Sequence, residues 1–259
     1  MNPAINLGLK NMDDLLRLEK ISKDFGKLRA LENVSFTIRP GEVVGLIGPN
    51  GAGKTTLFNV ITGFYRPTFG KVFLKGRDVT HLPPDRLAKM GTVRTFQIPR
   101  PFKELSVYDN VAMGTLFNPG KIKELHVSTR EFVDNILKSV MLIPWKESLS
   151  STLGYGNLKL LELGRAQGAM PDLLLLDEPF AGLSTTEIDG ITKVLLSLVE
   201  QGMTLIIVEH KLRELMRLVK RVIVLHYGKM IADGTPEDIS KNDHVLKAYL
   251  GKRWVEFHA

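Results

Sequence analysis

A chain of 259 residues, 44% hydrophobic and 24% charged, can bury one sizeable core or two lobes and has neither disordered nor collagen-like composition. It contains no cysteine, which excludes a disulfide framework and cysteine-ligated zinc. Its formal charge of +7 is compatible with an anionic membrane surface, nucleic acid or nucleotides, but the lysines and arginines are spread along the chain as on an ordinary solvated surface. Apolar runs such as 173–176 are strand-sized, against the roughly 20 residues of a spanning helix. The N-terminus lacks the basic cluster and apolar stretch of a secretory signal, so the protein is expected to stay where it is made.

Taken in chain order, 15–21 and 34–38 alternate apolar and polar residues as half-buried strands do, and 42–47 reads as a short buried strand. After a glycine-rich turn, Leu57, Val60, Ile61 and Phe64 recur at helical spacing. Asn118-Pro119-Gly120 predicts a turn. Ser128 and Glu131 form a capping-box pattern ahead of a helix with Phe132, Val133, Ile136, Leu137 and Val140 on one face. A buried strand at 173–177 is followed by a second helix, capped by Ser184 and Glu187 and closed by Gly202. Another buried strand follows at 205–208, then a hairpin across Tyr227-Gly228-Lys229, and a last helix starting at Thr235-Pro236. Alternating strands and helices predict a mainly parallel sheet covered by helices, and the helical middle predicts an inserted subdomain.

Gly48-Pro49-Asn50-Gly51-Ala52-Gly53-Lys54-Thr55 matches G-x-x-x-x-G-K-[ST] at every required position, between an apolar strand and an amphipathic helix. Glycines let such a loop wrap tightly and aim backbone N–H groups at phosphate oxygens, with the helix start adding its positive end. Lys54 is expected on the β- and γ-phosphates and Thr55 on Mg²⁺, with Thr56 in the same binding segment. The run 173–176 followed by Asp177-Glu178 has the form of a strand delivering an acid pair. Asp177 is expected to help hold Mg²⁺ and Glu178 to polarise the attacking water. The remaining histidines, among them His81, His126, His226, His244 and His258, show no ligand spacing.

These motifs, together with Gln97, Leu153-Gly154-Tyr155-Gly156, Pro179 and His210, resemble the nucleotide-binding domain of ABC ATPases over about residues 16–250. The runs Val93-Arg94-Thr95-Phe96-Gln97, Thr62-Gly63-Phe64-Tyr65-Arg66-Pro67 and Lys247-Ala248-Tyr249-Leu250-Gly251 are similar to the ATP-binding subunits of branched-chain amino acid importers. The resemblance implies an α/β fold: a P-loop NTPase (RecA-like) core at about 14–97 and 158–259, an antiparallel N-terminal β subdomain, and an inserted α-helical subdomain at about 98–157. It implies ATP and Mg²⁺ as cofactors. Phe25 would stack on adenine, with core packing the competing reading. Gln97 would sense the γ-phosphate and Mg²⁺, and His210 would contact the γ-phosphate and help orient water. Gly154 and Gly156 would belong to a signature loop that contacts ATP held by the opposite subunit, and Ser184 to a loop touching the partner.

The implied partners are a second ABC ATPase subunit, in a homo- or heterodimer with ATP sandwiched between, integral membrane permeases, and indirectly a substrate-binding protein. No nucleic acid is implied. The implied location is the cytoplasmic face of the membrane. The chain departs from the family pattern, Leu-Ser-Gly-Gly-Gln or Leu-Ser-Tyr-Gly in these importers, at Gly154 in the serine position, at Asn157 in the glutamine position, and at Gln167-Gly168, where a helix-interior glycine costs about 1 kcal/mol against alanine and is expected to fray the helix end or mark a degenerate subunit. The competing functions are import of urea, amides or other amino acids, a chromosome-organising ATPase, a twin-cassette translation factor, and a weakly active or non-catalytic subunit. No heptad arms and only one P-loop occur, which disfavours the second and third of these.

Overall fold

The computed structural model describes residues 14–248. Tyr249, Leu250 and Gly251 of the C-terminal motif, Trp254 and His258 lie outside the described residues. The first elements are β1 (Leu16–Phe25), β2 (Leu28–Ile38), β3 (Val43–Ile47), α1 (Lys54–Ile61), β4 (Phe69–Leu74), β5 (Arg77–Asp78), α2 (Pro84–Lys89) and β6 (Thr92–Arg94). A helical stretch follows, with α3 (Val107–Thr115), α4 (Pro119–Glu124), α5 (Thr129–Ser139) and α6 (Tyr155–Gly168). The remainder alternates through β7 (Leu173–Asp177), α7 (Thr185–Glu200), β8 (Thr204–Val208), α8 (Leu212–Met216), β9 (Arg221–His226), β10 (Lys229–Gly234) and α9 (Pro236–Ser240).

Two sheets form. One is antiparallel in the order β2-β1-β4-β5; the other runs β10-β9-β3-β8-β7-β6 and is parallel except for the β9–β10 hairpin. Tyr227 and Gly228 both adopt positive φ (46° and 76°), the twist a tight two-residue hairpin turn needs. Strands β3, β7 and β8 are buried throughout, which is why they read as continuous apolar runs rather than alternating ones. Their alternate residues serve two cores. Leu174 and Leu176 point to a core shared with α3, α5, α6 and α7, and Leu173 and Leu175 to a core shared with α1, β1 and β2.

Helices alone cover one face, and on the other α1 shares the cover with the antiparallel sheet. Three local expectations change. Asn118 opens α4 instead of a turn, with the proline in the first helical turn where its missing N–H costs nothing. Helix α1 ends at Ile61, and Gly63 turns left-handed (φ 76°), leaving Phe64 exposed outside the helix. Gly168 does not fray α6. A side chain there would place its Cβ 2.7 Å from Val111 O, so the glycine lets α3 and α6 cross closely. Ser128 accepts from Glu131 N as expected, and Ser184 with Glu187 forms the full reciprocal box on α7.

Candidate active site

In a parallel sheet the loops after neighbouring strands emerge at one edge, and here the loops after β3, β6, β7 and β8 share that edge. The loop after β3 is the glycine-rich turn. Gly48 and Gly53 take φ of 154° and 102°, and a Cβ on either would fall 2.2 Å from Leu225 O or 2.7 Å from Ala30 O. Only glycine fits both positions. Within the turn Ala52 N donates to Pro49 O, while Gly51 and Asn50 form its exposed crest. Helix α1 begins without a side-chain cap and without an acidic residue in its first turn, so its positive end is left uncompensated.

Lys54 is 7% exposed and its ammonium donates to Gly48 O (2.7 Å) and Pro49 O (3.1 Å). Burial holds its pKa below the ordinary lysine value, against the opposing pull of Glu178 and Asp177. Thr55 is exposed and Thr56 half-buried in the same helical turn.

Asp177 ends β7, and its Oδ2 accepts from Arg94 Nη2 at 2.5 Å; Arg94 Nη1 donates to Asn59 Oδ1. Both members of the ion pair are buried. Glu178, one residue on, is left-handed at φ 49°, a conformation that costs a non-glycine residue roughly 1–2 kcal/mol. The turn places its carboxylate between two side chains: Gln97 Nε2 donates to Oε2 at 2.7 Å, and His210 Nε2 lies 3.1 Å from Oε1. Thus Gln97, Glu178 and His210, carried on three separate loops, converge on one carboxylate.

Three further residues support this cluster that the motifs did not single out. Glu209 is 2% exposed; its Oε1 accepts from Phe180 N, and its Oε2 from His210 N and Lys211 N. It thereby fixes the loop after β7 to the loop after β8. Glu162 on α6 accepts from Phe96 N at 2.8 Å, and burial raises its pKa. Lys159, also on α6, donates to Gln97 O (2.6 Å) and Glu178 O (3.3 Å). A charged residue directly after an apolar strand (Glu209) and buried-face charges on α6 were the signals available in the sequence.

Gly154 and Gly156 are not in this cluster; they open α6 over α7. Gly154 is the uncapped N-cap of α6 (φ −65°, ψ 160°), and a Cβ added there meets nothing within 4 Å. Gly156 is different, since a Cβ would sit 2.4 Å from Glu187 Oε1. A cleft of ≈ 270 Å³ lined by Gly154, Gly156, Asn157 and Glu187 opens beside them. Ser184 bonds Glu187 Oε2 through its hydroxyl. Phe25, at the tip of β1, is 41% exposed and meets Tyr65 edge-on at 5.2 Å, so it is not a core residue.

A glycine cradle at a helix start, with an acid pair at the end of a parallel strand one place removed across β8, defines a P-loop nucleoside triphosphatase. Within that class, the family model described as "ABC transporter" matches residues 31–181, more than half of the chain. The chain belongs to the ABC transporter ATP-binding cassette family. A second model, "Branched-chain amino acid ATP-binding cassette transporter", matches residues 229–254. Among curated relatives, the high-affinity branched-chain amino acid transport ATP-binding protein LivG of Salmonella typhimurium is 38% identical, covering 92% of this chain and 98% of the relative. BraF of Pseudomonas aeruginosa, of the same description, is 36% identical with the same coverage.

The fold is similar to an ATP-binding cassette of an ABC transporter solved in its ADP conformation, with TM-score 0.82 and 33% identity over 92% of this chain and 99% of that one. It is also similar to a bacterial ABC transporter cassette solved as a dimer, with TM-score 0.74 and 26% identity over 85% of this chain and 98% of that one.

Proposed function

We propose that this chain is the ATP-hydrolysing subunit of an ABC importer for branched-chain amino acids, working beneath separate permease subunits. The observation that carries the hydrolytic part is the Glu178 carboxylate held between Gln97 and His210 beside the glycine loop. The substrate class rests on the match at 229–254 and on what LivG and BraF are described as serving. Among the described residues no helix is long and apolar enough to cross a membrane, so passage of the solute falls to partner subunits. In this reading the chain is attached to them at the cytoplasmic face.

In this reading the N–H groups of 48–53 and the start of α1 cradle the phosphates, and Lys54 turns from loop carbonyls to the γ-phosphate. Phe25 offers its exposed ring to adenine. Glu178 orients and polarises the attacking water, with His210 and Gln97 fixing both of its oxygens. Preorganised donors of this kind stabilise charge that develops in the transition state at no reorganisation cost. Mg²⁺ fits the donors present: the Thr55 hydroxyl, the Asp177 carboxylate and the Gln97 amide oxygen are all hard oxygen ligands, and it would neutralise phosphate charge there. Gln97 directs its amide nitrogen to Glu178, which leaves the oxygen for such a role. A second cassette, sandwiching ATP, would bring its own 154–156 loop to the γ-phosphate.

The test is co-purification with the permeases and binding protein, followed by ATPase measurement. Leucine, isoleucine or valine should stimulate hydrolysis severalfold and Lys54→Ala should abolish it. Stimulation by urea or a short amide instead would overturn the substrate assignment, and activity surviving Lys54→Ala would overturn the site.

A further inference from the structure

The last backbone bond of the segment after β6 to the sheet is from Thr95 N to Leu175 O, two residues before Gln97. Its backbone is held mainly from α6. Lys159 donates to Gln97 O, Glu162 accepts from Phe96 N, and Arg165 Nη1 donates to Arg100 O at 2.6 Å. These three residues are spaced i, i+3, i+6 and so share one face of the helix. Lys159 reaches furthest, because the same ammonium also donates to Glu178 O. It is 3% exposed, and the carboxylates of Glu162, Glu209, Asp177 and Glu178 all act on its charge. A void of ≈ 10 Å³, the size of about one water, lies between Lys159, Thr95 and Glu162.

Lys159 therefore touches the backbone of two residues of the subunit's own hydrolytic cluster while standing on the helix whose start is Gly154. Lys159 stands five positions beyond Gly154, a rise of about 7.5 Å at 1.5 Å per residue. An α-helix packed as α6 is against α3 and α7 moves as a unit, so a shift at its N-terminus is carried to the ammonium.

We propose that Lys159 is a positioning residue that ties α6 to the carbonyls of Gln97 and Glu178, so that docking of the α6 start on the partner's nucleotide sets the catalytic geometry of the subunit's own site. This rests on the sandwiched-dimer reading above. The role of a relay and that of a simple strut separate kinetically. A strut lost lowers stability and activity together. A relay lost lowers turnover while leaving each subunit able to bind ATP and fold.

The experiment uses the assembled transporter carrying Lys159→Met or Lys159→Arg, alongside wild type and Lys54→Ala. The expected result for Lys159→Met is a fall in kcat of about tenfold or more, with KM for ATP and the affinity of the isolated subunit for ATP within about threefold of wild type. Its Tm should stay within about 3 °C. Lys159→Arg, which keeps a buried donor of the same charge, should restore kcat to within about threefold of wild type. A Lys159→Met kcat within twofold of wild type overturns the proposal, as does a loss that tracks a large fall in Tm or that arginine fails to restore. Wild-type complex without ATPase activity would instead remove the enzyme reading on which the proposal stands.

Discussion

Gly154→Ser tests the signature loop directly, because the structure predicts what the substitution does to the fold and to the assembly separately. Gly154 sits at φ −65°, ψ 160°, a conformation open to any residue, and the added Cβ meets nothing within 4 Å. No strain follows. As the N-cap of a 14-residue helix without a side-chain cap, serine gains over glycine only a few tenths of a kcal/mol, or roughly 1 °C in Tm for a domain of this size. In the ATP-sandwiched dimer proposed above, the hydroxyl would accept from an N–H of the first turn of α6 and donate to the γ-phosphate held by the partner. One hydrogen bond to a charged group contributes about 1.5–3 kcal/mol, equivalent to roughly 10- to 150-fold in affinity. The assay is sedimentation velocity against ATP concentration in a Glu178→Gln background, which stalls hydrolysis. The half-saturating ATP for dimer formation should fall by at least tenfold. An unchanged ATP dependence in a protein whose Tm has risen as expected would show that the start of α6 does not face nucleotide. A fall in Tm would refute the open-space account of Gly154.

Glu178→Gln should retain ATP binding within about threefold and lose steady-state hydrolysis by at least about a hundredfold, read from nucleotide titration and phosphate release. Lys54→Ala should abolish ATP binding and also change how stability depends on pH. Burial depresses the folded pKa of Lys54 below its ordinary 10.5, so the folded state binds fewer protons and wild-type stability gains as pH rises through that interval. The variant lacks this gain; in nucleotide-free thermal melts, the Tm difference should move in favour of wild type as the pH rises toward the ordinary lysine value of 10.5. Leu175→Ala, at a fully buried position in the middle of β7, should cost about 2–5 kcal/mol in a chemical denaturation series. A loss below 1 kcal/mol would mean that the strand is not at the centre of the core.

The parallel core was legible because burial on both faces leaves a signature no polar strand mimics. Runs such as 173–176 and 205–208 are apolar at every position, and the structure buries each of those residues. Capping chemistry was legible for a similar reason: Ser184 with Glu187 and Ser128 with Glu131 satisfy backbone donors locally, within three residues. The readings that changed depend on distant partners. Gly168 reads as a weak helix residue on propensity alone, and only the crossing of α3 against it gives its reason; likewise α1 shares one face with the antiparallel sheet, whose β1 pairs with both β2 and β4. Phe64 fits a helical period, but Gly63 breaks the helix before it.

The candidate site divides along the same line. Residues 48–55 announce themselves because the phosphate cradle is made from consecutive backbone, whereas the support of the acid pair comes from side chains between 19 and 83 positions away in the chain. Arg94 meets Asp177 across 83 residues, and Lys159 meets Gln97 across 62. A lone arginine after a strand or a lone lysine on a helix carries no local mark of such a partner. What compels the pairing is burial: an ammonium or carboxylate removed from water must find a counter-group or lose its charge. Arg94, Lys159, Glu162 and Glu209 each meet that demand at the edge where β6, β7 and β8 end. Several buried charges at one sheet edge cost the fold more than apolar residues of the same size would. Their concentration around Asp177 and Glu178, rather than through the core, argues that they serve the geometry of those two carboxylates.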